Sequence, residues 1–210
     1  MKQQTNPQQM NLTAKVAFTK VYPAISEYVV HKYGITSGRC LDAGSGPGSL
    51  AIALARITDL EIVSLDREYE MTVVAENNIA EVELTHRIKT VTADVCRIPF
   101  DDNYFDLIVS RGSVFFWDDR SAALRELYRV LKPGGVIYCG GGMGSEEIRR
   151  DATEIIITDE RFSDMREFCR DRNCKPQKEN EIAFKKAIVE AGLSGNILME
   201  GSGIWIEIIK

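Results

Sequence analysis

The chain has little of what several functional classes require. None of its apolar runs approaches the length needed to span a bilayer, so no membrane span is expected. It has no basic excess: 26 Lys and Arg stand against 31 Asp and Glu, a net charge of −5. Nucleic-acid binding normally brings a basic patch and a high pI, so a phosphate-rich partner is disfavoured. Arg149-Arg150 and Lys185-Lys186 are too short to change that and read as solvated helix faces. Histidine occurs only as His31 and His86, neither well placed for a general base. The cysteines (Cys40, Cys96, Cys139, Cys169, Cys174) form an odd set with no repeated framework and no zinc spacing. Such a set fits a reducing compartment, and a cytoplasmic protein is expected. Met1–Asn11 is polar and Gln-rich, as expected of a frayed lead-in and not of a secretory signal. There is no internal repeat and no long linker. The 210 residues suit one domain, 1–210, large enough to bury its own core.

What the chain does have is concentrated at Leu41-Asp42-Ala43-Gly44-Ser45-Gly46-Pro47-Gly48. This stretch ends a strand pattern and precedes Leu50-Ala51-Ile52-Ala53-Leu54-Ala55, which reads as a helix. Three glycines free the backbone to turn sharply, and the helix that follows points unpaired N–H groups into the turn. The dinucleotide pattern G-x-G-x-x-G is met at Gly44 and Gly46, but Ser49 stands at its third glycine. Asp42 would also repel a pyrophosphate, which weakens a nicotinamide-dependent oxidoreductase. A ligand carrying an ammonium and a sulfonium suits that acid better.

The downstream pattern alternates strand and helix, which predicts a parallel sheet with helices on both faces. Glu61–Asp66 reads as a second strand, with Asp66 about 20 residues past the glycines, where an acid reaches a ribose diol. Ile88–Asp94 reads as a third strand, again ending in Asp, followed by Val95. Phe105–Ser110 is a fourth, and Leu131-Lys132-Pro133-Gly134-Gly135 closes a helix and launches a fifth, Val136–Cys139. Helices are expected at about 48–57, 69–82, 119–131 and 178–191, the last ended by Gly192. Ala14–Tyr33 carries helical spacing, broken or kinked near Pro23, and forms an N-terminal cap over about 12–34. Residues 145–176 are charged and read as irregular helices. Asn196–Met199 and Ile204–Ile209, joined by Gly201-Ser202-Gly203, read as a hairpin.

Over about residues 38–141 these signals, in this order, resemble the class I S-adenosylmethionine-dependent methyltransferases, in particular the small-molecule, ubiquinone/menaquinone-biosynthesis-like branch. The resemblance implies an α/β, three-layer Rossmann-like sandwich. Its sheet would be mostly parallel and seven-stranded, in order 3-2-1-4-5-7-6, with an antiparallel C-terminal hairpin. It implies methyl transfer by in-line displacement to a small-molecule acceptor. The backbone around Gly44, Ser45 and Gly46 would hold the methionyl end of S-adenosylmethionine, with Asp42 supplying negative charge near the amino group. Asp66 would take both ribose hydroxyls, Arg67 would lie against the adenine, and Asp94 with the Val95 N–H would read the adenine edge. Ser110-Arg111 and the aromatics Phe115-Phe116-Trp117 would line the cofactor and face the acceptor, with 145–176 as a lid.

Some readings stay open. Asp66 and Asp94 would also serve as capping acids at strand–helix junctions. Phe115 and Phe116 either shield the methyl group or pack under the next helix. Gly140–Gly144 is either the floor of a cleft or a tight turn. For an acceptor that must lose a proton, Tyr22, Arg111 and Asp118 are the catalytic candidates. An arsenite- or thiol-type enzyme using Cys96, Cys169 and Cys174 is one alternative, and a non-catalytic S-adenosylmethionine-binding protein another. No metal site is expected.

Overall fold

The computed structural model describes residues 6–163 and 177–210. The elements are α1 (Pro7–Val16), α2 (Val21–Tyr33), β1 (Ser37–Ala43), α3 (Ser49–Ile57), β2 (Asp59–Asp66), α4 (Tyr69–Glu81), β3 (Ile88–Thr92), β4 (Phe105–Arg111), α5 (Arg120–Val130), β5 (Leu131–Gly141), α6 (Glu146–Thr158), α7 (Gln177–Ala191), β6 (Asn196–Leu198) and β7 (Ile204–Ile209). Short 3-10 turns occupy Val114–Phe116 and Glu160–Phe162. The sheet order is β3-β2-β1-β4-β5-β7-β6, parallel throughout except where β7 pairs antiparallel with β5 and β6. This is the expected Rossmann-like sandwich. No helix among the described residues is long and apolar enough to cross a membrane.

Strand parity sorts the side chains into two cores. In β1, Leu41 and Ala43 point to the layer of α5 and α7, packing with Leu124, Leu127, Phe184 and Ile188. Cys40 points the other way, to the layer of α2, α3 and α4, with Ile25, Leu54 and Ala75. In β4, Leu107 and Val109 face that second layer while Ile108 faces the first. The same alternation carries Asp42 to the α3 side and Arg111 to the α2 side. Burying a leucine such as Leu107 stabilises the fold by roughly 2–5 kcal/mol relative to alanine there.

Several boundaries differ from expectation. The N-terminal break falls at residues 17–20, not at Pro23, which sits in the first turn of α2, where a missing N–H costs nothing. Residues 7–11 are helical, not a frayed lead-in: Asn6 caps α1 by accepting from the Gln9 N–H at 3.1 Å, and Pro7 sits in the first turn. Strand β3 ends at Thr92, so Asp94 lies two residues beyond it. Leu131-Lys132-Pro133-Gly134-Gly135 belongs to β5, because Leu131 already pairs with Phe105 across an irregularity in the ladder. Within 145–176, α6 is a regular helix capped by Ser145. Residues 164–176, with Cys169 and Cys174, lie outside the described residues.

The glycines at 140–142 are consumed by packing. A Cβ on Gly140 would run into the Ile204 carbonyl and stand 2.6 Å from Trp205 Cα; one on Gly142 would stand 2.8 Å from the Gly201 carbonyl. The end of β5 and the β6–β7 turn thus meet backbone to backbone, so neither a cleft floor nor a simple turn explains the run. Gly203→Ala, whose Cβ would strike the Gly141 carbonyl, is expected to cost about 3 kcal/mol or more. Gly134→Ala, with nothing near its Cβ, should cost only the left-handed backbone penalty of about 1–2 kcal/mol. Urea denaturation midpoints of the two variants check this contrast.

Candidate cofactor and acceptor cleft

The glycine turn is pinned to the neighbouring strand. Gly44, Gly46 and Gly48 all have positive φ (+69°, +56°, +78°). The Gly44 and Ser45 N–H groups both donate to the Leu65 carbonyl, at 2.7 and 2.9 Å, and Ser64 Oγ donates to Ser45 Oγ at 2.6 Å. Gly44 is obligatory for a second reason: a Cβ would occupy the position of Ser113. Ser113 Oγ donates to the Ala43 carbonyl at 2.9 Å and shares a 2.7 Å hydrogen bond with Ser110 Oγ, so the Ser110 hydroxyl is engaged inside the β4 exit loop.

Gly48 cannot cap α3 with a side chain, and Asp42 takes over that task. Its carboxylate accepts from the Ala51 N–H at 3.2 Å while only 1% exposed. Burial pushes its pKa up to about 7; the Ala51 N–H opposes this and the nearby Asp66 charge adds to it. Asp42 Oδ1 makes no hydrogen bond among the described residues.

At the end of β2, Asp66 holds the turn from the side. Its Oδ2 accepts from the Gly46 N–H at 2.9 Å and its Oδ1 from the Glu68 N–H at 3.0 Å. Burial raises its pKa, and those two N–H groups pull it back. Each oxygen keeps a free lone pair. Asp94 is exposed beyond β3, accepting from the Cys96 N–H at 2.7 Å, and Val95 is buried. Arg67 pairs with Glu68 at 3.1 Å and with Asp118 at 3.7 Å, across the rim. Asp118 is therefore tied to Arg67 at the rim.

The N-terminal segment roofs this turn. Met10 Cε lies 3.5 Å from where a Gly46 Cβ would stand. Asn78 of α4 donates to both the Pro47 carbonyl and Asn11 Oδ1, each at 2.8 Å, and Lys15 pairs with Glu81 at 2.5 Å. Beyond α1, the Arg111 guanidinium stacks 4.6 Å from the Phe18 ring centre and 5.4 Å from that of Tyr22. The same guanidinium donates to the Gly142 carbonyl and to Met143 Sδ, both at 3.2 Å. Tyr22 stays a neutral phenol: burial raises its pKa, Arg111 opposes, and Asp42 adds to the rise. Tyr22 and Arg111 are thus brought together.

Other residues fall away from the cleft. Phe115 packs on Phe184 at 5.5 Å and against Gly141, while Phe116 is 57% exposed. His31 and His86 are exposed. Cys40 and Cys139 are core residues. Burial and the neighbouring Asp94 push the Cys96 thiol up to about 11, so it is not a ready thiolate. Met10, Asn11, Phe18, Asn78 and Met143 were not legible from sequence as cleft residues. Asn78 carried the one available signal: a poor helix former at the same phase as the apolar Ala75 and Ile79.

A family model described as a methyltransferase domain matches residues 41–139. A Methanococcus maripaludis protein of known structure, provisionally assigned as an S-adenosyl-L-methionine-dependent methyltransferase, is 42% identical, with a TM-score of 0.88 over 100% of this chain and 97% of its own. The chain belongs to the S-adenosylmethionine-dependent methyltransferases. Among curated relatives, the ubiquinone/menaquinone biosynthesis C-methyltransferase UbiE of Geotalea daltonii is 37% identical over 101 residues, 47% of this chain and 43% of the relative. The sterol 24-C-methyltransferase erg6 of Aspergillus fumigatus is 33% identical over 120 residues, 55% of this chain and 32% of the relative. The chain therefore spans less than half the length of these two curated relatives.

The family's cofactor is S-adenosylmethionine, and the cleft suits it. Asp42 Oδ1 takes no hydrogen bond from the described residues, Asp66 has acceptor capacity left, and no basic residue stands on the turn. The raised Asp42 pKa has a stability consequence. Its folded value of about 7 lies above the unfolded value of about 4, so the folded state holds the proton more tightly. Stability should be greatest below pH 4 with respect to this group, fall as pH rises through 4 to 7, and then level off. Relative to Asp42→Asn, which keeps an acceptor for Ala51 without titrating, the wild type is expected to lose up to about 4 kcal/mol across that window. Urea melts of both proteins at a series of pH values measure the difference.

Proposed function

We propose that this chain transfers the methyl group of S-adenosylmethionine to a small-molecule acceptor. The observation that carries the reading is the paired use of Asp42 and Asp66: one buried and one half-buried acid flank one glycine turn, each tied to backbone N–H groups yet each keeping acceptor capacity. Asp66 would receive the ribose hydroxyls. Asp42 would face the methionyl ammonium, and Gly44, Ser45 and Gly46 would line the methionyl chain with backbone. Asp94 and the Val95 N–H would take the adenine edge, with Arg67 alongside at the rim. Ser110 acts indirectly, by holding Ser113 against the turn.

When bound, the cofactor supplies a methyl group already activated on a sulfonium. The protein's share is then alignment and exclusion of water, and orientation alone is worth roughly 7–11 kcal/mol in favourable cases. The roof of α1 and the Phe18–Tyr22–Arg111 cluster would exclude water from above. Tyr22 and Arg111 are the catalytic candidates that remain together. A neutral, half-buried phenol donates a hydrogen bond but is a poor base, so Tyr22 would orient an acceptor oxygen.

Asp66→Asn removes the charge that receives the diol and should weaken S-adenosylmethionine and S-adenosylhomocysteine binding by about 10- to 100-fold. Isothermal titration calorimetry reads this, with NAD as the control. Tight NAD binding by the wild type with none of either adenosyl ligand would overthrow the reading.

A further inference from the structure

We propose that Arg111, together with the Tyr22 hydroxyl, is an oxyanion-binding site. It would take a carboxylate, phenolate or enolate oxygen next to an apolar or aromatic body. The partners of Arg111 are all neutral. Its guanidinium lies against the rings of Phe18 and Tyr22, donates to one carbonyl, and spends another N–H on the thioether of Met143. No carboxylate lies within ion-pair distance of it among the described residues. Arg120 likewise donates to backbone carbonyls, those of Val114 and Phe115, but it does so at the start of α5; Arg111 does so at the carboxyl end of β4.

A half-buried guanidinium with only neutral partners forfeits hydration without a compensating charge. A thioether is a weak acceptor, one that an oxyanion readily replaces. Arg111 sits at the carboxyl end of β4, paired with Gly140, at the sheet end where ligands of open α/β sheets bind. Its fork would pair two N–H groups with one carboxylate or oxyanion, as a lysine would not. The Tyr22 hydroxyl lies beside the guanidinium and adds a neutral donor. The rings of Phe18 and Tyr22, set edge to face at 64°, supply apolar contact surface for an aromatic or conjugated body.

Two sources share this chemistry: the carboxylate of the cofactor's own methionyl arm, and an ionised oxygen of the acceptor. For the acceptor, the consequence is a substrate class. Electron-rich, ionised oxygens and the carbons conjugated to them become nucleophiles without a strong protein base. The inference rests on the methyltransferase reading for its meaning but not for its test.

The experiment uses the full chain and its Arg111→Gln, Arg111→Lys and Tyr22→Phe variants, with circular dichroism to confirm folding. Benzoate is titrated calorimetrically with and without S-adenosylhomocysteine, with neutral benzamide as the matched probe. S-adenosylhomocysteine is compared with 5′-methylthioadenosine, which lacks the methionyl carboxylate. Benzoate should bind the wild type and lose about tenfold or more in affinity in Arg111→Gln, with smaller losses in the Lys and Phe variants, while benzamide is unaffected. That result assigns the site to an acceptor oxyanion. If instead S-adenosylhomocysteine loses about tenfold in Arg111→Gln and 5′-methylthioadenosine does not, the same site serves the cofactor's carboxylate. Should Arg111→Gln fail to fold, the Lys and Phe variants carry the comparison. Equal affinities of wild type and variants for benzoate and for S-adenosylhomocysteine would overturn the proposal, as would no benzoate binding with unchanged S-adenosylhomocysteine affinity. Loss of all adenosyl binding by the wild type would sink the methyltransferase reading alone, because the benzoate titration without cofactor still reports on Arg111.

Discussion

The hydrogen bond from the Ala51 N–H to the buried Asp42 carboxylate is the interaction on which the rest of the cleft depends. A strand that must turn straight into a helix over three glycines leaves that helix without a side-chain cap. Strand parity places Asp42 on the α3 side of the sheet, and its carboxylate closes the helix from below. The glycine backbone above is then free of capping duty and can face a ligand. The arrangement has an electrostatic cost: a carboxyl in an apolar layer, with Asp66 nearby, is held only by one backbone donor. A cationic group arriving in the turn relieves that cost, which links the stability of the turn to its occupancy.

The second constraint comes from above. Helix α1 reaches the glycine turn through the Asn78 amide, which satisfies a loop carbonyl and the α1 side chain Asn11 together. Phe18 and Tyr22, either side of the start of α2, then close over Arg111. The cleft is thus bounded by groups from the chain's first 25 residues, from the β4 exit loop and from the β5 exit. None of these segments adjoins another in sequence. Their meeting brings the Arg111 guanidinium and the Tyr22 phenol together at the carboxyl end of the sheet.

Much of the fold was legible in the residues. The acid-tipped strands, the glycine turn and the hairpin at Gly201-Ser202-Gly203 are short-range signals, and short-range backbone preference decides them. The errors lie where context overrode local rules. Pro23 was read as a break, but a proline in a first helical turn has no N–H to waste. The glycines at 140–142 read as belonging to a cleft or a turn, because nothing local announces that a hairpin 60 residues later will press its backbone against them. Asp118 stood with Tyr22 and Arg111 as a catalytic candidate, and its pairing with Arg67, 51 residues away in the chain, is likewise a contact that no spacing announces.

By itself the sequence determined the methyl-donor side of this protein: one glycine turn, an acid before it, an acid at the end of the next strand, and their order along the chain. Those features act through backbone conformation and charge over a few residues, so they survive being read one at a time. Tertiary structure alone decided what surrounds Arg111 and the acids. Which rings cover Arg111, which acid remains unpaired, and which hydroxyls are already spent all depend on side chains that meet across the sheet, helix to strand and loop to loop. Burial and pairing are properties of those meetings, and no spacing in the chain encodes them.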